Sequence, residues 1–99
     1  MVLIKIHETY RKIVAVCDKE LVGKKFEQGK LQLDVNDHFY GGKELDDKEA
    51  IDFLKDELTE DACFNFVGKK SIELGAKAGV IDKNRVLIVQ GVPHALALL

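Results

Sequence analysis

Two glycine-bearing segments carry the side chains best suited to binding or catalysis. Residues 36–43 read Asn-Asp-His-Phe-Tyr-Gly-Gly-Lys, and residues 91–94 read Gly-Val-Pro-His with the only proline of the chain. The first segment predicts a cradle for an anion or a nucleobase, because aromatic faces can stack, glycines permit positive φ with exposed backbone amides, and a lysine adds charge. The predicted binding residues there are Phe39, Tyr40, Gly41, Gly42 and Lys43. In the alternative interpretation, Phe39 packs in the core, Tyr40 covers it and the glycines make a tight turn.

His94 is the second candidate. The rigid Pro93 before it gives His94 a well-defined position. A histidine can act near neutral pH as an acid, as a base or as a hydrogen-bond donor to a phosphate. In the enzyme interpretation His94 is the acid or base, His38 assists it and Cys17 is a candidate nucleophile. The protein would then be a small hydrolase or group-transfer enzyme. A structural histidine bonded to a neighbour is the alternative. No pair of residues has a zinc-ligand spacing, so we expect no metal and no cofactor.

A further anion site is predicted where Asn65 would begin a helix. Free amides at a helix start attract phosphate, and Lys69 and Lys70 would add charge, as would Lys24 elsewhere in the chain. The alternative is an ordinary helix cap beside a solvated lysine face.

The positioning elements follow from hydrophobic spacing. Residues 2–7 alternate and residues 13–17 are apolar on both faces, which predicts an antiparallel hairpin with His7 toward solvent. Residues 18–30 predict a short helix or irregular loop, and residues 31–36 predict a strand that leads into the first glycine segment.

The second half of the chain predicts two helices and a buried strand. Asp46 and Glu49 form a capping box for a helix that ends near Leu58. The helix from Asn65 carries a buried stripe and ends at Gly79, and residues 85–90 predict a central strand. Ala95 to Leu99 is either a last strand or a surface that pairs with a second copy.

Composition limits the class of protein. A chain of 99 residues, 46% hydrophobic and 32% charged, predicts one α+β domain over 1–99 with a mixed sheet of about five strands and two helices mostly on one face. A net charge of −2 gives no overall basic signal. Two cysteines without a disulfide pattern indicate the cytoplasm, and no stretch is long enough to suggest a membrane span.

Four motifs in the same order carry a family resemblance. They are Cys17-Asp18-x-x-Leu21-x-Gly23-Lys24, Phe39-Tyr40-Gly41-Gly42, Asn65-x-Val67-Gly68 and Gly91-Val92-Pro93-His94-Ala95. Together they resemble the archaeal family called domain of unknown function 424 over nearly the whole chain. The resemblance implies a compact cytosolic protein with mixed α and β structure and a role connected with translation.

The interpretation favoured from sequence is a non-catalytic binding module for an anionic partner such as RNA or a ribonucleoprotein. The alternatives are the enzyme using His94 and His38, and a homodimer joined through the apolar C-terminal segment. Whether the 39–43 and 91–94 segments meet in space is left open by the sequence.

Overall fold

The computed structural model describes residues 1–98. Its main sheet has six strands: β1 (Val2–His7), β2 (Ile13–Asp18), β5 (Lys43–Leu45), β6 (Cys63–Val67), β7 (Leu87–Val89) and β8 (Val92–Leu98). Their order in the sheet is β5-β1-β2-β6-β8-β7, and among these described strands only β2 and β6 pair in parallel. A separate hairpin joins β3 (Lys25–Gln28) to β4 (Leu31–Asp34). The predicted α+β class is confirmed, with six strands in the main sheet where about five were expected.

Two helices cover one face of the main sheet. Helix α2 (Asp47–Leu58) begins with the predicted capping box between Asp46 and Glu49, and α3 (Lys69–Lys77) packs beside it. Beneath them lie Phe64 and Phe66 of β6, both fully buried. Full burial of a large apolar side chain contributes roughly 1.5 to 3 kcal/mol. This helical face is therefore the larger part of the core.

The opposite face is only partly covered. The β3–β4 hairpin and the short helix α1 (Asp37–Tyr40) pack over Cys17, Val67 and Val92. Beyond the hairpin and α1, in the second half of β8, the Leu96 side chain is 61% exposed. An open strip of sheet is thus left beside α1, and it contains part of the candidate site.

Several sequence expectations for the first half are corrected. His7 is half-buried where an exposed side chain was expected, because its ring stacks on Phe39 at a centroid distance of 4.5 Å. Residues 19–21 form a 3-10 turn, and the segment after it pairs as β3, which alternation alone had not indicated. Strand β4 ends at Asp34, two residues before the predicted end at residue 36, and the apolar side chain of its first residue, Leu31, is exposed and not turned inward.

The second half shows the larger correction. Asn65 does not begin a helix, because residues 63–67 lie between β2 and β8 in the sheet and Gly68 precedes the first turn of α3. The residues of the predicted helical stripe are all buried, although the first of them, Val67, belongs to β6: Val67, Ser71, Leu74, Gly75 and Ala78. Gly79 follows the helix with φ +80° as expected.

The predicted central strand at 85–90 is wrong. Strand β7 lies at the sheet edge, with Leu87 and Ile88 about half exposed. The turn falls at Gln90 and Gly91, so His94 lies inside β8 and not in a loop after a strand. The C-terminal segment continues that strand through Leu98, and Leu99 lies outside the described residues.

Candidate functional site

A polar network at the open strip brings the two glycine-bearing segments together. Tyr40 Oη donates to Asn65 Oδ1 at 2.7 Å, and His94 Nε2 lies 3.1 Å from the same oxygen. A carbonyl oxygen only accepts hydrogen bonds, so His94 Nε2 must carry the proton. The two segments therefore meet, and Asn65 of β6 is the residue that joins them.

Burial sets the chemistry of the two flanking groups. Burial raises the pKa of Tyr40 to about 12, with the neighbouring Cys17 adding to that effect, so the phenol stays neutral and donating. Burial also lowers the pKa of His94, which favours the neutral imidazole. Both groups therefore hold Asn65 as uncharged hydrogen-bond donors at neutral pH.

A groove of about 340 Å³ opens beside this network. Its walls combine aromatic rings, an amide and an arginine with apolar residues: Thr9, Tyr10, Arg11, Ile13, Phe39, Cys63, Phe64, Asn65 and Leu96. The Tyr10 side chain is fully exposed at the turn between β1 and β2, and Phe39 is half-buried under the His7 ring. His7 Nε2 donates to the Phe39 carbonyl at 2.9 Å, which fixes that wall. Arg11 is already paired with Asp61 at 2.7 Å.

The expected roles of Tyr40 and the glycines are corrected. Tyr40 is only 4% exposed, so its ring offers no stacking face and instead orients Asn65. Neither Gly41 nor Gly42 has positive φ, and their amides donate to the Asp37 and Tyr40 carbonyls. The predicted amide cradle is therefore absent. The glycines are needed for space, because a Cβ at Gly42 would lie 2.1 Å from the Ile4 carbonyl oxygen.

The helix start expected to hold a phosphate already holds a carboxylate of the protein. Asp18 is 5% exposed and accepts from the amides of Lys70 and Ser71 at 3.1 and 2.8 Å and from the Ser71 hydroxyl at 2.7 Å. An anion at a helix N-terminus is favoured by the free amides and the helix dipole. A small cavity of about 180 Å³ adjoins Asp18, Gly68 and Pro93, but the buried carboxylate disfavours a second anion there.

The remaining predicted residues lie apart from the network. Lys69 and Lys43 are exposed, and Lys70 pairs with Asp47 at 2.7 Å. His38 is exposed, and only its backbone carbonyl is engaged, by Lys5 Nζ at 2.6 Å. Across residues 1–98 no group of three or more His, Cys, Asp or Glu side chains is placed to hold a metal. No helix in that range is long and apolar enough to cross a membrane.

The geometry also disfavours Cys17 as a nucleophile. Its thiol is fully buried and donates to the Asp18 carbonyl at 3.2 Å. Burial raises the pKa of Cys17 to about 12, with the nearby Asp18 and Glu20 charges adding to it. The thiolate is the reactive form of cysteine, so this residue packs as a small core side chain.

Sequence reasoning missed Tyr10 and Leu96 as groove residues. Tyr10 is the single aromatic residue in the polar turn 8–12, which is a signal that an exposed ring stands there. Leu96 gave no such signal, because its exposure follows from how far α1 and the hairpin extend over the sheet.

These features define a small α+β domain with an aromatic-walled groove on the exposed part of its sheet. The chain belongs to the family described as protein of unknown function DUF424, whose model matches residues 6–98. It is similar to the crystal structure of an uncharacterized conserved protein from Methanopyrus kandleri, with 25% identity, a TM-score of 0.86, and coverage of 96% of this chain and 88% of that chain. No match was found among curated proteins.

Proposed function

We propose that the protein is a non-catalytic module that binds single-stranded RNA, alone or in a ribonucleoprotein, with one base in the groove beside Asn65. The observation that carries the proposal is the pairing of exposed aromatic surface with an amide on an open sheet face. Bases stack on aromatic side chains with little sequence preference, at roughly 1 to 3 kcal/mol per base. Tyr10 and Phe39 supply that surface, and Asn65 supplies a polar contact.

Charge segregation supports an anionic partner. Residues 46–61 contain eight acidic residues and two lysines, whereas the rest of the chain has a net charge of +4. That acidic segment comprises α2 and its flanks. Helix α2 packs on the sheet face opposite the groove, and only Asp61, in the flank after it, pairs with a groove residue, Arg11, among the ion pairs of the described residues. Exposed lysines outside the acidic segment, such as Lys24 and Lys43, are the groups that would attract phosphates.

The test is fluorescence anisotropy of a labelled oligouridylate with the wild-type protein and Tyr10→Ala. The variant is expected to weaken binding by about 1 to 3 kcal/mol if a base stacks on Tyr10. Its stability should change by less than about 0.5 kcal/mol, because the ring is fully exposed. Leu31→Ala, an exposed apolar change on β4 away from the groove, is the matched control and should bind as the wild type does. Equal affinity of Tyr10→Ala and wild type, or no binding by the wild type, would contradict the proposal.

A pairing of two copies along β8 is the second candidate. Strand β7 covers only Val92–His94, while Leu87 and Leu96 beside the remaining edge are 55% and 61% exposed. An uncovered edge with apolar neighbours favours strand pairing. Sedimentation should detect a dimer that Leu96→Lys dissociates, and a monomer at high concentration would contradict this candidate. The free thiols of Cys17 and Cys63 support a cytoplasmic location for either form.

The enzyme alternative with His94 and His38 stays a prediction. His94 lines a shallow cleft of about 270 Å³ between Arg85 and Leu96. Its Nε2 is committed to Asn65, and His38 takes no part in that network.

A further inference from the structure

The Asn65 side chain has a fixed orientation. Its Oδ1 accepts two hydrogen bonds, from Tyr40 Oη and from His94 Nε2. Rotating the amide by 180° would place the NH₂ group against Tyr40 Oη and His94 Nε2. His94 could then accept in its other tautomer, but the hydroxyl hydrogen of the buried Tyr40 would lose its acceptor. A buried donor that loses its partner costs about 1 to 3 kcal/mol, so the observed orientation is strongly preferred.

The amide nitrogen of Asn65 is left for a ligand. In a planar amide the NH₂ group points away from the carbonyl oxygen, and in the part of the chain that the structure describes no side chain or carbonyl accepts from Nδ2. No buried side-chain nitrogen or oxygen within residues 1–98 lacks a partner, so Nδ2 is not sealed in the interior. Because Asn65 also lines the groove, the groove floor presents a hydrogen-bond donor whose companion acceptor is already occupied.

We propose that the groove selects bases that carry a carbonyl oxygen, such as uracil, over adenine, with Asn65 Nδ2 donating to that oxygen. This inference rests on the proposed RNA binding. An unconstrained asparagine recognises adenine by accepting from N6 and donating to N7. Here the accepting half is used internally, so adenine loses the bond from N6 and keeps only a single bond to a ring nitrogen. Uracil, cytosine and guanine each offer an exocyclic carbonyl oxygen, which projects from the ring and has two lone pairs, whereas adenine offers only ring nitrogens set between neighbouring substituents.

Tyr40 and His94 are positioning residues in this scheme. Neither needs to touch RNA, because each acts through Asn65 Oδ1. The hydroxyl of the buried Tyr40 is the stronger constraint, since its bond is 0.4 Å shorter than that of His94 (2.7 against 3.1 Å).

The experiment measures the affinity of each variant for oligouridylate and for oligoadenylate. The result is expressed as the ratio of the first affinity to the second. The wild type is expected to prefer oligouridylate by about three- to tenfold, the range of one neutral hydrogen bond. Asn65→Asp keeps an acceptor for Tyr40 and His94 but replaces the NH₂ group by a second acceptor. The added negative charge should weaken the binding of both oligonucleotides to the same extent. The ratio of the oligouridylate affinity to the oligoadenylate affinity should fall to about one or below.

Tyr40→Phe provides the independent variant if Asn65→Asp folds poorly. Removing the hydroxyl releases one constraint on the amide, so the ratio should fall while binding of oligoadenylate is retained or improved. Tyr10→Ala is the control: because stacking on an aromatic ring has little sequence preference, it should weaken the binding of both ligands and leave the ratio unchanged.

The outcomes separate this inference from the proposed function. A ratio that is unchanged in both Asn65→Asp and Tyr40→Phe, with RNA still bound and still sensitive to Tyr10→Ala, would overturn the inference alone. Absence of RNA binding by the wild type would overturn both.

Discussion

The polar centre around Asp18 and the polar centre around Asn65 differ in how many hydrogen-bonding groups they leave without a partner in the protein. At the start of α3, the Asp18 carboxylate and the amides and hydroxyl around it satisfy one another completely. In the groove, Asn65 Oδ1 is satisfied twice, while Nδ2 remains open. Both lie in or next to motifs that sequence reasoning marked for binding. Unused hydrogen-bonding capacity at an accessible position, and not polarity alone, distinguishes a candidate site from a structural junction.

The first prediction removes the hydrogen bonds that Asp18 makes at the start of α3. Asp18→Ala removes the acceptor for Lys70, Ser71 and the Ser71 hydroxyl, and we expect it to lower the free energy of unfolding by about 2 to 4 kcal/mol. Asp18→Asn, which keeps one acceptor oxygen, should lose less. Urea unfolding measures both changes. Affinity of the folded variant for RNA should be unchanged, and a loss there would show that the two centres are coupled.

The second prediction concerns the glycine beside Asp18. Gly68 has φ +106°, and a Cβ there would lie 2.2 Å from Asp18 Cγ. Gly79 has φ +80° with no heavy atom within 4 Å of such a Cβ. Gly79→Ala should therefore cost only backbone strain, about 1 kcal/mol. Gly68→Ala should cost at least about 2 kcal/mol, because the strain is joined by displacement of the carboxylate. Equal unfolding free energies for the two variants would contradict a tight junction.

The third prediction uses pH to test the support of Asn65. The pKa of His94 is lowered by burial from the ordinary 6.5, so below about pH 6.5 the unfolded chain binds more protons at this residue than the folded chain does. The contribution of His94 to stability is therefore complete above that pH and is lost as the pH falls toward the lowered pKa. The free energy of unfolding is measured against pH for the wild type and for His94→Gln. The difference between the two profiles should isolate the small contribution of His94. Parallel profiles between pH 7 and 5 would contradict it.

Local patterns predicted much of the fold. The Asp46 capping box, the β1–β2 hairpin and the buried stripe of α3 each depend on residues close together in the chain. The errors lie where tertiary neighbours decide. Residues 63–67 resemble a helix start by cap residue and spacing, yet pairing with β2 and β8 makes them a strand. Residues 86–89 are as apolar as a central strand, but no further strand pairs beyond β7 among the described residues.

The site was predicted in parts. Phe39, Tyr40, Asn65 and His94 were named from sequence, and the structure places all four in or beside one network. Their roles could not be assigned, because burial of Tyr40 and the shared acceptor on Asn65 arise only when α1 folds over the sheet. Tyr10 entered the site through a hairpin turn that no motif marked.

The most direct test of RNA binding in the groove is an NMR titration of the isotope-labelled protein with oligouridylate at low and moderate salt. We expect shifts to concentrate at Tyr10, Phe39, the Asn65 side-chain amide and Leu96, and to weaken as salt rises. The α2 helix on the opposite face should stay unperturbed. Shifts centred on α2 or on the Gly68 end of α3, or no shifts at either salt, would contradict the account.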